Sequence, residues 1–219
     1  MQLKLSPPAA LLAAGVLFLA ACQSQQPAAE KPAATLRQLN VVVVTVDTLR
    51  PDHLGCYGYK PVETPVLDAL AKRGVLFENA VAQTPLTPPS HASIFTGQNP
   101  NRHKVRNTGG FILPSSSHPL ARVLQEQGWD TAAFVGSAVL KKLFGFGNGF
   151  AVYDDEMPRP GSKNEFREDP ERKASAVVDR AIAWLEKRPA GKPYFLWVHV
   201  YDPHIPYQPP AEFAAKYKG

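Results

Sequence analysis

Three polar residues stand directly after apolar runs, where a buried strand would end, and together their types suit the chemistry of an anionic ester. Asp47 follows Val41-Val42-Val43-Val44-Thr45-Val46. A carboxylate held at the end of a rigid element is the hard oxygen donor that a divalent cation takes, and the same residue type in the same place also caps turns and helices. Thr87 lies within Thr84-Pro85-Leu86-Thr87-Pro88-Pro89-Ser90-His91-Ala92-Ser93-Ile94-Phe95-Thr96-Gly97, where prolines end the extended chain and Ser90 to Thr96 can form a short helix. A threonine alkoxide near a helix N-terminus and in contact with a cation is stabilised, which makes it a usable nucleophile at neutral pH. The alternative is a proline-rich turn with capping hydroxyls; the carboxylate of Asp47 supplies the partner that the nucleophile reading needs. His204 lies in His199-Val200-Tyr201-Asp202-Pro203-His204-Ile205-Pro206-Tyr207. Its imidazole can hydrogen-bond an ester oxygen or protonate a leaving group. His199 reads as a satisfied histidine inside a strand, and Asp202 as an Asx-type turn that aims His204.

The elements that must position these residues alternate. The unbroken β-branched run at residues 41–46 predicts a central strand buried on both faces. Thr64 can cap a helix that has Pro65 at its first position, with Val66, Leu67 and Leu70 on one face and Gly74 as its stop. Residues 75–82 predict a strand; Leu120, Val123 and Leu124 mark a helix ended by Gly128; residues 131–135 predict a short strand. A stretch rich in Gly, Pro and charge at residues 145–170 reads as a surface excursion. Residues 174–188 place Val178, Ile182 and Leu185 at helical spacing, and residues 194–200 form another apolar strand after Pro193. The order β-α-β-α-β-α-β implies an α/β fold with a mostly parallel sheet covered by helices on both sides. Ligands then gather at the carboxyl ends of the strands, where Asp47 and His204 lie.

Composition narrows the class. The chain has 219 residues, with 44% apolar and 20% charged types, which fits one sizeable globular domain and excludes a mostly disordered polymer. Lys plus Arg is 24 against 19 Asp plus Glu, a net charge of +5. No run of like charges gives a nucleic-acid surface. Cys22 and Cys56 allow at most one bridge, and Cys56 is expected to be a free thiol.

The first segment carries an address. Lys4 precedes an apolar stretch from Ala9 to Ala21, too short for a stable bilayer span and the right length for a secretory signal. Its end, Leu19-Ala20-Ala21-Cys22, resembles the lipobox of bacterial lipoproteins. The expected organisation is a signal peptide over residues 1–21, a lipidated Cys22 opening a Gln, Ala and Pro-rich tether over residues 22–38, and a folded domain over residues 39–219. A plain cleaved signal peptide with an incidental cysteine is the alternative. Gln rather than Asp after Cys22 resembles the pattern of outer-membrane sorting. The expected location is the cell envelope, with the folded part facing the periplasm and the membrane contacted through the lipid.

Taken together, residues 41–58 (VVVVTVDTLRPDHLGCYG), 64–82, 89–97 (PSHASIFTG) and 195–207 (FLWVHVYDPHIPY) resemble the N-terminal part of the sulfatase family in the alkaline phosphatase superfamily. The resemblance implies a three-layer α/β/α sandwich and a hydrolase with one or two divalent cations (Ca, Mg, Mn or Zn). It also implies a covalent ester intermediate and a small-molecule, glycan or lipid ester as substrate. It places Asp47, Thr48 and Thr87 at metal-binding positions and Thr87 at the nucleophile. His204 falls near the ester oxygen, and Asn107 on a substrate-contacting asparagine of some members. His91 stands in for an arginine that supports the nucleophile, beside Ser90.

Departures from the family pattern sharpen the expectation. Sulfatases convert Cys or Ser at the nucleophile position to formylglycine, an aldehyde that threonine cannot give, so Thr87 favours phosphoryl chemistry. Gly136-Ser137-Ala138-Val139 lacks the lysine and histidine of the family's G-K-W-H segment. No D-H-G-E-like segment supplies the second metal-binding pair, so the sequence reads as a fragment with weak cation affinity and little or no activity. The rival reading is a periplasmic binding or scaffold domain. A nucleotide-binding domain is disfavoured, because neither G-x-G-x-x-G nor G-x-x-x-x-G-K-[ST] follows the valine run.

Overall fold

The valine run forms β1 (Val41–Val46), the first strand of a four-stranded parallel sheet of order β1-β4-β2-β3. A computed structural model describes residues 39–158 and 171–217. The expected signal peptide, tether and lipidated Cys22 lie outside the described residues. The remaining elements, in chain order, are α1 (Pro65–Arg73), α2 (Thr87–Thr96), α3 (Pro100–His103), α4 (Leu120–Glu126), β2 (Asp130–Val135), β3 (Val152–Asp154), α5 (Ala174–Lys187), β4 (Tyr194–Val200) and α6 (Ala211–Lys216). Several 3₁₀ turns join them.

Two apolar clusters lie on opposite faces of the sheet and make the three layers. On one face Ala133, Val135, Phe195 and Trp197 pack with Ala92 and Phe95 of α2 and Ala121 of α4. On the other, Ala132, Phe134, Leu196 and Val198 pack under Val177 and Ala181 of α5. The alternation follows from the two-residue period of a strand. Gly149 holds a left-handed φ of +85°, and a Cβ there would sit 2.0 Å from the Arg122 backbone nitrogen at the start of α4. Only glycine permits that approach.

Four expectations change. First, β4 rather than β1 is central: it is paired with β1 on one side and β2 on the other. Val42 and Val44 are 50% and 59% exposed, because α5 packs over β4 and β2. Second, residues 75–82 form no strand; Val75, Phe77 and Val81 lie open to solvent without a ladder partner among the described residues. Third, the stretch from residue 145 begins as core rather than surface. Phe146 and Phe150 are buried, and β3 pairs with β2; residues 159–170 of that stretch lie outside the described residues. Fourth, α5 turns a different stripe inward. Val177 and Ala181 are buried and Leu185 packs beside them as expected, whereas Val178 and Ile182 are exposed.

Candidate active site

Strand parity builds the site. Thr45 pairs with His199 in the β1/β4 register, and the ladder continues by one bond from the Asp47 amide to the Val200 carbonyl at 3.0 Å. Val43, Thr45 and Asp47 therefore share a face with Trp197, His199 and Tyr201. That face is the one α2 covers. Helix α2 begins at Thr87, with Pro88 and Pro89 completing its first turn. Proline suits these positions because the missing N–H would be unsatisfied there.

This arrangement brings the two central residues together. Thr87 Oγ1 donates to Asp47 Oδ2 at 3.0 Å, and Asp47 is only 7% exposed. Both line a cavity of about 640 Å³, with Thr48, Ser90, His91 and His204 also on its wall. His91 is buried, and its Nδ1 donates to the Thr87 carbonyl at 2.8 Å, which ties the ring to the residue it was expected to support. Burial pushes the imidazole of His91 below its ordinary range, against the opposing pull of the Thr87 carbonyl and the Asp47 charge.

The other expected residues fall into place unevenly. Thr48 is exposed on the cavity wall with a φ of 54°, a left-handed value that costs a β-branched residue about 1–3 kcal/mol. His204 Nδ1 donates to the Ile205 carbonyl at 2.7 Å, and the ring stacks on Tyr201 at 4.3 Å between centroids. In the neutral ring Nε2 is then an acceptor, so His204 donates from Nε2 only as the imidazolium. Asn107 is exposed, its Oδ1 accepts from the Thr108 amide at 2.8 Å, and its neighbour Thr108 lines the cavity. Asp202 does sit in the turn that leads to His204, whose amide donates to the Tyr201 carbonyl at 2.9 Å, but its side-chain oxygen is used elsewhere. Its Oδ2 accepts the Ala174 amide at 2.7 Å, so it caps α5, a bond worth about 1 kcal/mol. Cys56 is a free, half-buried thiol.

One residue that the sequence reading set aside belongs to the site. His199 is fully buried; its Nδ1 lies 2.8 Å from Thr45 Oγ1, and its Nε2 lies 3.6 Å from Asp47 Oδ2 without a hydrogen bond. The pair with Asp47 is no salt bridge. Desolvation, with the nearby His91 adding to it, lowers the His199 pKa to about 2, so the ring is neutral. The signal that could have found it is the alternation Phe195, Trp197, His199, Tyr201, read together with Thr45 and Asp47 on the neighbouring strand.

A divalent cation fits the donors in part of its shell. Asp47 and Thr87 offer hard oxygens on one wall of the cavity, and such a cation takes about six. Among the described residues no group of three or more His, Cys, Asp or Glu side chains is placed to hold a metal. No described helix is long and apolar enough to cross a membrane.

Comparison with known proteins gives the family and the fold. The model of the Sulfatase family matches residues 39–219. The chain is 29% identical to iduronate 2-sulfatase of Homo sapiens over 213 residues, covering 84% of this chain and 38% of the relative. It is 26% identical to N-acetylglucosamine-6-O-sulfatase of Bacteroides thetaiotaomicron over 218 residues, covering 94% and 37%. Among solved structures, the phosphonate monoester hydrolase of Agrobacterium radiobacter superposes with a TM-score of 0.66 at 23% identity, covering 82% of this chain and 44% of that one. The chain thus spans less than two fifths of the length of these curated relatives. With the matched region taking in β1, α2, β4 and the cavity they frame, the chain belongs to the sulfatase family.

Proposed function

We propose that this chain carries the nucleophile-bearing part of a metal-dependent hydrolase or transferase that acts on phosphate esters through Thr87. The observation that carries the reading is the 3.0 Å bond from Thr87 Oγ1 to Asp47 Oδ2 within the cavity. Asp47 and Thr87 would hold a divalent cation, which when bound lowers the pKa of the hydroxyl and offsets charge on the ester. Thr87 Oγ1 forms the new bond to phosphorus, its proton leaving toward Asp47 Oδ2, while the bond to the ester oxygen breaks. His204, as the imidazolium, gives that oxygen its proton. Water or an acceptor alcohol then cleaves the phosphothreonine, which separates hydrolysis from transfer.

The names of the curated relatives favour sulfate esters, and threonine at position 87 favours phosphate. Likeness of fold does not decide between them. Aryl phosphate diesters, phosphate monoesters and sulfates, each with Mn, Mg, Ca or Zn, decide it. Slow turnover, with the phosphates above the sulfate, is the expected result. Faster turnover of the sulfate overturns the phosphate reading.

We further infer, from the lipobox-like Leu19-Ala20-Ala21-Cys22, that the protein is tethered in the bacterial cell envelope through a lipidated Cys22. Cys22→Ser is expected to abolish incorporation of labelled fatty acid and to release the protein from the membrane fraction. Unchanged membrane association would remove the anchor from this account.

A further inference from the structure

Behind Asp47 a row of polar atoms crosses from β4 to β1 and back. Trp197, fully buried, donates its indole N–H to Thr45 Oγ1 at 3.0 Å, and the same oxygen lies 2.8 Å from His199 Nδ1. An indole nitrogen is a donor only, so one lone pair of the Thr45 hydroxyl is committed. Were Nδ1 of His199 protonated, the hydroxyl would accept twice, and its own hydrogen would find no acceptor among the described residues. Thr45 is half-buried beside the cavity, and leaving its hydrogen without a protein acceptor while Nδ1 stands 2.8 Å away is the costlier arrangement. Donation from Thr45 to Nδ1 satisfies every group in the row. Nδ1 is then the lone-pair side, and the single proton of the neutral ring sits on Nε2. That nitrogen is buried and unpaired, and it lies 3.6 Å from Asp47 Oδ2, the oxygen that already accepts from Thr87.

We propose that His199 is a positioning residue whose Nε2–H tautomer, fixed by the Trp197–Thr45 relay, holds Oδ2 of Asp47 and so leaves Oδ1 as the oxygen presented to a cation. The gap is slightly outside hydrogen-bonding range and closes when the carboxylate turns by about 0.5 Å. Two donors on one oxygen also fix the plane of the carboxylate, and with it the direction of the Thr87 hydroxyl. The residues that orient a metal ligand are typically worth 10–100-fold in metal affinity. The role toward the cation rests on the reading of Asp47 and Thr87 given above. The tautomer does not.

Two measurements on the full chain separate these. In long-range proton–nitrogen spectra of protein labelled with 15N-histidine, the signals that vanish in His199→Gln identify the ring. The expected wild-type pattern is a protonated, pyrrole-like Nε2 and an unprotonated, pyridine-like Nδ1, with the preference lost in Thr45→Val. A protonated Nδ1, or an unchanged pattern in Thr45→Val, overturns the relay. The second measurement is titration with Mn2+ alone. Glutamine can set an amide N–H near the Nε2 position, whereas asparagine reaches only as far as Nδ1. His199→Gln is expected to keep Mn2+ affinity within about threefold and His199→Asn to lose about tenfold or more. Equal affinities in the two variants overturn the positioning role. Wild-type protein that binds no Mn2+ defeats the cation reading of Asp47 and Thr87, and the tautomer measurement still decides the relay.

Discussion

Thr87→Ala is expected to lower kcat/KM for a phosphate ester by about a thousandfold or more, because it removes the only atom proposed to bond to phosphorus. A thousandfold corresponds to roughly 4 kcal/mol of transition-state stabilisation. The same change takes the Oγ1 donor from Asp47 Oδ2, a buried carboxylate oxygen. Leaving that group short of a donor costs about 1–3 kcal/mol of stability. Thr87→Ser separates the two effects: it keeps the hydroxyl, and is expected to hold turnover within about tenfold of wild type and to restore the midpoint of urea unfolding. Initial rates on an aryl phosphate, measured beside unfolding curves for both variants, give the result. Turnover by Thr87→Ala at the wild-type rate removes Thr87 as nucleophile, whatever its stability.

The contact between residues 47 and 87 was legible before any coordinates, since each lies at the end of an element whose boundary is written locally. Asp47 closes an unbroken β-branched run, and Thr87 stands at prolines that open a helix. Properties set by distant parts of the chain were not legible. Six consecutive β-branched residues look alike whether or not a helix covers the second face, so β1 reads as central although Val42 and Val44 are exposed. Residues 75–82 have a strand's composition, yet strand propensity is realised only against a partner. In α5 two neighbouring stripes share the same spacing, Val177, Ala181 and Trp184 beside Val178, Ile182 and Leu185. Val177 and Ala181 are buried, with Trp184 and Leu185 half-buried beside them, because small Ala181 lets the helix sit close against β2 and β4. His199 was missed for a related reason: its partner Thr45 lies 154 residues away, and only the β1/β4 register joins them. Thr108 on the cavity wall was not legible either, because an irregular loop has no period from which side-chain direction can be read.

Trp197→Ala is expected to cost about 3–5 kcal/mol, the range for emptying a large aromatic site in a packed core. That is a large share of the roughly 5–15 kcal/mol that holds a domain of ordinary stability together. The ring is fully buried and lies against Phe95 at 4.5 Å, Phe150 at 6.0 Å and Tyr153 at 6.2 Å between centroids. These contacts join β4 to α2, to the turn before β3 and to β3 itself, so the cavity would open where the layers meet. Trp197→Phe distinguishes packing from polarity. Phenylalanine refills much of the volume, and the expected loss falls to about 1–2 kcal/mol. It carries no N–H for Thr45 Oγ1, however, so the hydroxyl is released to turn and the tautomer of His199 is no longer fixed. Urea unfolding of the two variants reads the first effect, and the histidine nitrogen spectrum of Trp197→Phe reads the second. If Trp197→Phe unfolds as easily as Trp197→Ala, the indole hydrogen bond rather than ring volume dominates the stability at this site. If it keeps the wild-type spectrum, Thr45 and His199 hold their geometry without the indole, and the relay begins at the hydroxyl.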